Sequence, residues 1–306
     1  MALTPTFLKF MIKLHKEIGF TGPVLTLGSQ GIFGTLDDLR LFFRQMGCPF
    51  REVEPIRTTC YATPDRDFVH AQVFFQMMGI DEYYDLDKFD YDKPKLRHDL
   101  NTPISEEMHG RFSLVVEVGT MEHVFDIRQV MENIVRLLRV GGSVVHFSVT
   151  NNWIDHGFYT FSPSFFYEFY AANGFEDFRC YLIEVGKDYP AGFTRPCPFS
   201  EYTYGSPMVE YIDESKCVVT LFAARKARNC DVVRVPDQGA YDPATRSQVQ
   251  AVTGSAPSFY EQLVPKPLRP VVQPLRPFLG RLIRGRILFR RLFRLFYRVR
   301  RPWPRL

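Results

Sequence analysis

The stretch from Phe112 to Val149 constrains the fold more than any other part of the chain. Phe112 to Val118 is a continuous, β-rich apolar run. Ile127 to Leu138 then places Ile127, Val130, Met131, Ile134, Leu137 and Leu138 on one side of a helix, and Ser143 to Val149 is a second apolar run. A 3.6-residue period between two short apolar runs predicts strand, helix, strand. Gly141-Gly142 is expected to end the helix. Strands joined in this way pair parallel, with a right-handed crossover.

The alternation continues on both sides. Phe7 to Ile18 has helical spacing, and Val24-Leu25-Thr26-Leu27 is a buried strand that stops at a loop holding Gly28, Gly31 and Gly34. Asp37 to Met46 and Asp65 to Met78 are predicted helices, the second capped by Asp65 or by Thr63 before Pro64. Residues 48–64 carry no period. Glu82 to Leu86 and Leu96 to His98 are short strand candidates. Ser162-Pro163 opens an aromatic helix to Ala172, closed by Asn173-Gly174. Phe178 to Val185 and Lys216 to Ala224 complete the strands, with an insertion at about 186–215. The expected class is α/β with a doubly wound sheet.

Charge separates the chain into a body and a tail. Residues 266–306 hold twelve Arg, one Lys and no acid, a charge of +13, whereas residues 1–265 carry a net −9. On a helical wheel Leu288, Phe289, Leu292, Phe293, Leu295, Phe296 and Val299 share one face, and Arg290, Arg291, Arg294 and Arg298 occupy the other. An apolar face opposed by a cationic one is the pattern of an in-plane interfacial helix, so the favoured partner of 278–306 is an anionic membrane surface. A protein partner is the alternative. Nucleic acid explains the arginines but not the apolar face. Residues 228–277 read as a linker, in which Pro267-Leu268-Arg269-Pro270 recurs as Pro274-Leu275-Arg276-Pro277.

The six cysteines include no C-x-x-C pair, so a zinc or dithiol motif is not indicated and reduced thiols are expected. No secretory signal is expected at the N-terminus, and no uncharged apolar stretch reaches the ~18 residues of a membrane span. The expected location is cytoplasmic, peripheral on the inner face of the cell membrane.

Doubly wound sheets bind ligands at the carboxyl ends of their strands, so the residues just after each strand are the candidates. After the first comes Gly28-Ser29-Gln30, where glycine lets a ligand approach the backbone. After the second come Asp85 and Asp87; a carboxylate there can accept both hydroxyls of a ribose. After the third stands Asp99-Leu100-Asn101, suited to the edge of an adenine. After the fourth stands Gly119-Thr120-Met121-Glu122-His123, which puts Glu122 and His123 at the cleft, and histidine is the usual general base near neutral pH.

The run from His98-Asp99-Leu100-Asn101 through Glu122-His123-Val124 and Leu137-Leu138-Arg139-Val140-Gly141-Gly142 to Ser143-Val144-Val145 resembles the class I S-adenosylmethionine-dependent methyltransferases. Gly119-Thr120-Met121-Glu122-His123-Val124-Phe125, Asn151-Asn152, His156-Gly157-Phe158-Tyr159 and Phe161-Ser162-Pro163 are similar, more narrowly, to the methyltransferase-like proteins of bacterial surface-polysaccharide and glycan biosynthesis. The resemblance covers roughly residues 20–226 and leaves 1–227 as the methyltransferase-like domain. It implies a seven-stranded Rossmann-like sheet with the last strand antiparallel, followed here by the basic amphipathic helix. It also implies S-adenosylmethionine as cofactor, held by Gly28, Ser29, Gln30, Asp87, Asp99, Leu100 and Glu122. Gly28-Ser29-Gln30 departs from the family's Gly-x-Gly. In some quinol methyltransferases a Glu-His pair at the place of Glu122-His123 helps hold a divalent metal, but Gly119 stands where that pattern has a further acid, so no metal is expected.

Methyl transfer needs alignment of acceptor and methyl, plus removal of the acceptor's proton if it is a hydroxyl. His123 or His156 is the candidate base, with Tyr159 orienting the acceptor. The expected function is O-methylation of a sugar, glycan or lipid-linked hydroxyl at the membrane. The alternative is a catalytically inactive methyltransferase fold that binds or scaffolds. A nicotinamide-dependent enzyme is disfavoured, because the chain lacks the dinucleotide glycine pattern.

Overall fold

The fold is described from a computed structural model, which covers residues 2–56, 68–185, 197–205 and 216–254. The strand–helix–strand unit forms as its pattern requires. β6 (Phe112–Val118) leads through a single 3-10 turn (Met121–His123) into α4 (Ile127–Leu137) and β7 (Leu138–Asn151). β6 and β7 pair parallel, with Glu117 opposite His146. Asp126 caps α4 by accepting from the Gln129 amide, and the helix buries Val130, Met131, Ile134 and Val135 against the sheet. Each such side chain contributes roughly 1.5–3 kcal/mol when taken out of water.

Gly141-Gly142 does not end the helix as expected. α4 stops at Leu137 and the chain enters β7 at once, so both glycines lie inside a strand. A Cβ on Gly142 would come within 3.0 Å of the Arg139 carbonyl and 3.1 Å of those of Phe112 and Ser113. The glycine admits a close backbone approach where the β6–β7 register shifts.

Around this unit lie β2 (Val24–Leu27), β4 (Tyr83–Asp87), β5 (Leu96–Arg97), β8 (Phe175–Val185), β9 (Phe199–Glu201) and β10 (Cys217–Lys226). The sheet order is β5-β4-β2-β6-β7-β10-β8-β9. The strands from β5 to β7 are parallel, and β10 inserts antiparallel between β7 and β8. The late, antiparallel strand is as expected. The strand count is not: among the described residues the sheet has eight strands rather than seven. The addition is β9, which lies in the stretch read as an insertion and pairs antiparallel with β8. A separate two-stranded pair, β1 (Ala2–Leu3) with β3 (Gly31–Ile32), ties the N-terminus to the chain beyond the first glycine loop.

Helices cover both faces. α1 (Pro5–Ile18), α2 (Leu36–Gln45) and α3 (Ala71–Met77) contribute Phe7, Phe10, Phe43 and Phe74 to one apolar layer, together with Leu114 and Val116 of β6. α4 and α5 (Pro163–Ala172) contribute Val130, Ile134, Phe166 and Tyr170 to the other, with Val115 of β6. The start expected for α3 at Asp65 lies outside the described residues; the helix that is described is capped by His70. Within the stretch read as linker, Pro243–Thr253 forms α6, which buries Thr245 and Val249 and whose Gln248 amide donates to the Ala171 carbonyl at 3.2 Å. The basic segment 278–306 lies outside the described residues. No helix among the described residues is long and apolar enough to cross a membrane.

Candidate functional site

The parallel strands bring the candidates to one edge of the sheet. The order changes direction between β2 and β6, the kind of switch point at which doubly wound sheets bind ligands. Gly28 follows β2 with φ +79° and donates its amide to the Leu86 carbonyl at 2.7 Å. Ser29 is tied to β4: its hydroxyl donates to Asp85 at 2.9 Å and its amide to Asp87 Oδ2 at 3.2 Å. Asp87 Oδ1 accepts from the Phe89 amide at 2.9 Å. Two backbone donors therefore aim the Asp87 carboxylate, which retains acceptor capacity.

Over Gly28 the space is narrow. Thr120, just past β6, donates its hydroxyl to the Leu27 carbonyl at 2.7 Å, and the Gln30 side-chain amide donates to the same carbonyl at 3.1 Å. A Cβ on Gly28 would lie 2.7 Å from Thr120 Oγ1 and 3.2 Å from Gln30 Nε2. Gln30 is buried, and its Oε1 has no hydrogen-bond partner among the described residues.

At the tip of β5, Asp99 pairs with Lys88 at 2.8 Å and accepts from the amide and side chain of Asn101 at 3.0 and 2.8 Å. The Lys88 ammonium and these donors hold the Asp99 carboxyl down at about 2. Leu100 is buried in the core, and its carbonyl accepts from Asn133 at 3.2 Å.

The densest chemistry lies past β6. Glu122 is fully buried, and neither carboxylate oxygen has a hydrogen-bond partner among the described residues. His156 Nε2 stands 3.6 Å from Glu122 Oε1, too far for a hydrogen bond but close enough for charge to matter. The rings of His123 and His156 are 5.3 Å apart. One ligand atom from each of Glu122, His123 and His156 falls within 4.8 Å of the others. Burial pushes the Glu122 carboxyl above its usual range, against the pull of His156. Partial burial, with His156 beside it, lowers His123 and keeps that imidazole neutral near pH 7.

Two segments hold this group. Glu117, buried in β6, accepts from the amides of Thr120 and Met121 at 2.7 and 3.1 Å and so fixes the turn that carries Glu122 and His123. Its other oxygen accepts from Ser148 at 2.9 Å and meets His146 Nδ1 at 3.1 Å. From the opposite side comes the loop after β7, where Trp153 Nε1 donates to the Val218 carbonyl at 3.0 Å and the Phe158 amide donates to the Glu122 carbonyl at 2.7 Å. Tyr159, expected to orient an acceptor, spends its hydroxyl on the Phe125 carbonyl at 2.8 Å, so it closes the loop onto the segment between the 3-10 turn and α4. Phe125 and Phe158 lie edge to face at 5.6 Å and remain exposed.

Glu117, Trp153 and Gly157 were not among the sequence candidates for a role at this site. A signal for Glu117 is present: one acid inside the apolar run Phe112–Val118 must find partners if the strand is buried, and His146 and Ser148 lie on the neighbouring strand. A groove of about 440 Å³ between α4, α5 and residues 235–238, lined by Met131, Phe165 and Phe169 among others, shares no residue with the strand tips.

No family model matches the chain, and no curated protein matches it in sequence. Its structure is similar to a S-adenosylmethionine-dependent methyltransferase of Thermotoga maritima, described as a possible histamine N-methyltransferase. The identity is 12%, coverage is 72% of this chain and 97% of that one, and the TM-score is 0.34. It is also similar to a putative methyltransferase of Bacillus halodurans (12% identity, 71% and 98% covered, TM-score 0.39). A third likeness is to the 1,6-didemethyltoxoflavin-N1-methyltransferase of Burkholderia thailandensis, whose structure holds S-adenosylhomocysteine (12% identity, 72% and 76% covered, TM-score 0.32). At TM-scores this low the fold rests on the strand order and pairing described above.

Proposed function

We propose that the chain is a S-adenosylmethionine-dependent methyltransferase. The observation that carries this reading is the strand order, five parallel strands followed by an antiparallel β10 between β7 and β8, with a glycine at the tip of β2 and carboxylates at the tips of β4 and β5. In this reading Asp87 would accept from the ribose hydroxyls of the cofactor, the Asp99–Leu100 segment would meet its adenine, and Gly28, Ser29 and Gln30 would border its methionine end with Glu122. The sulfonium supplies an activated methyl. The protein's own part is to align the acceptor and take its proton, through His123 or His156, both of which are exposed.

The acceptor in this reading is a hydroxyl on a sugar, glycan or lipid-linked carrier. Exposed Phe125 and Phe158 beside the histidines suit a ring-shaped acceptor, and 278–306 would hold the chain at an anionic membrane on the cytoplasmic side. Calorimetric titration with S-adenosylmethionine tests the donor: micromolar affinity is expected, and no heat of binding rejects the enzyme. Flotation with anionic vesicles tests the tail: loss of flotation when Arg290, Arg291, Arg294 and Arg298 become Gln is expected, and equal flotation rejects the membrane role.

One observation favours a second reading, a fold that binds or scaffolds without catalysis. Thr120 and Gln30 converge on the Leu27 carbonyl directly above Gly28, where the methionine end of the cofactor would lie. Under this reading S-adenosylmethionine does not bind.

A further inference from the structure

We propose that Glu122, His123 and His156 form a binding site for a divalent transition-metal ion. Three independent features converge. The first is chemical: one carboxylate and two imidazoles are a ligand set for Zn²⁺ and its neighbours in the first transition row, whereas Mg²⁺ and Ca²⁺ prefer oxygen alone. The second is energetic. Glu122 is fully buried and both its oxygens lack hydrogen-bond partners among the described residues, an arrangement that is unfavourable unless a cation or proton compensates it. Among the described residues the group that pairs with it is His156 at 3.6 Å, and a metal held between the two would satisfy the carboxylate. The third is geometric. The three donor atoms lie within 4.8 Å of one another. Ligands at about 2.0–2.2 Å from a shared metal stand closer together than that, so the set must contract by roughly an ångström. Both histidines are on exposed side chains able to turn, and the carboxylate is the fixed member.

The fold prepares the site from two directions. Glu117 sets the 3-10 turn through two backbone amides, and the Phe158 amide locks the His156 loop to the Glu122 carbonyl. His156 thus supplies from the β7–α5 loop a ligand that no spacing around Glu122-His123 would reveal. The expectation that no metal binds rested on the missing acid at Gly119, and this third ligand removes its premise. A cation here would acidify an acceptor oxygen by Lewis-acid action, in place of proton removal by either imidazole, so the two roles are alternatives. The site itself does not depend on the methyl-donor reading.

The test is Zn²⁺ titration of the chelator-stripped full chain without S-adenosylmethionine, with Co²⁺ as a spectroscopic stand-in. The expected result is one Zn²⁺ per chain and visible Co²⁺ ligand-field bands. His123→Ala and His156→Ala should each weaken Zn²⁺ at least as much as loss of an outer-shell partner does, about 10- to 100-fold, while exposed His109→Ala leaves it unchanged. Glu122→Gln keeps the shape and removes the unpaired charge, so it should fold with a melting temperature no lower than the parent's and lose the metal. Absence of Zn²⁺ binding, unchanged affinity in His123→Ala/His156→Ala or in Glu122→Gln, or an equal loss in His109→Ala overturns the proposal. Because cofactor is absent, failure here leaves the methyltransferase reading standing, and the reverse.

Discussion

Gly157 lies against Glu122 so closely that a Cβ on it would stand 2.8 Å from the Glu122 carbonyl oxygen and 3.0 Å from its Cγ. Beside it the Phe158 amide donates to that same carbonyl at 2.7 Å. The loop that carries His156 is therefore seated directly on the turn that carries His123. Gly157→Ala should push the two apart, costing about 1–3 kcal/mol as overpacking does. If the chain is a methyltransferase, it should also lower turnover by more than that stability loss explains. Denaturant melts beside kcat, measured where the variant is fully folded, check this; unchanged turnover would mean that the seating does not matter to function.

A second prediction concerns Glu117, on which the Thr120 and Met121 amides and the Ser148 hydroxyl converge. Glu117→Ala leaves these buried donors unpaired and should destabilise the fold by about 3 kcal/mol or more. Glu117→Gln keeps the shape but turns one pair of its contacts donor to donor, so it should fold yet loosen the Glu122–His123 turn. Urea unfolding gives the first quantity. Amide chemical shifts of residues 119–124 report the second.

Much of the fold was legible and the reason is periodicity. Phe112–Val118 and Val24–Leu27 are predominantly apolar, broken by Ser113, Glu117 and Thr26, because they are buried on both faces of a parallel sheet. α4 shows its buried side at 3.6-residue spacing. The strands β1, β3 and β9 are two or three residues long, too short to show any period. α6 escaped because only Thr245 and Val249 of its eleven residues are buried, which leaves a mostly polar sequence. At the site, the strand tips could be placed once the alternation was recognised. The approach of His156 to Glu122 could not, since it depends on how a loop 34 residues further on folds back, steered by Trp153 and Gly157.

Asp99 yields a prediction in pH. Its folded pKa of about 2 lies below the ordinary aspartate value of about 3.9. The Lys88 contact therefore stabilises the fold above about pH 4, and that contribution is lost as pH falls through about 2. The pair is partly exposed, so Lys88→Met should cost under about 1 kcal/mol at pH 7, with the difference from the parent vanishing near pH 2. Carbon-detected NMR titration should find the Asp99 pKa displaced upward in the variant. An Asp99 pKa unchanged in Lys88→Met would show that the ion pair does not form in solution.

On the methyltransferase reading, an adenosyl group lies across the tips of β2, β4 and β5. Hydrogen–deuterium exchange of the full chain with and without saturating S-adenosylhomocysteine tests it most directly. An adenosyl group in that place slows exchange at residues 27–30, 86–90 and 98–101 together. Exchange unaltered at all three segments, or protection confined to the α4–α5 groove, would contradict it.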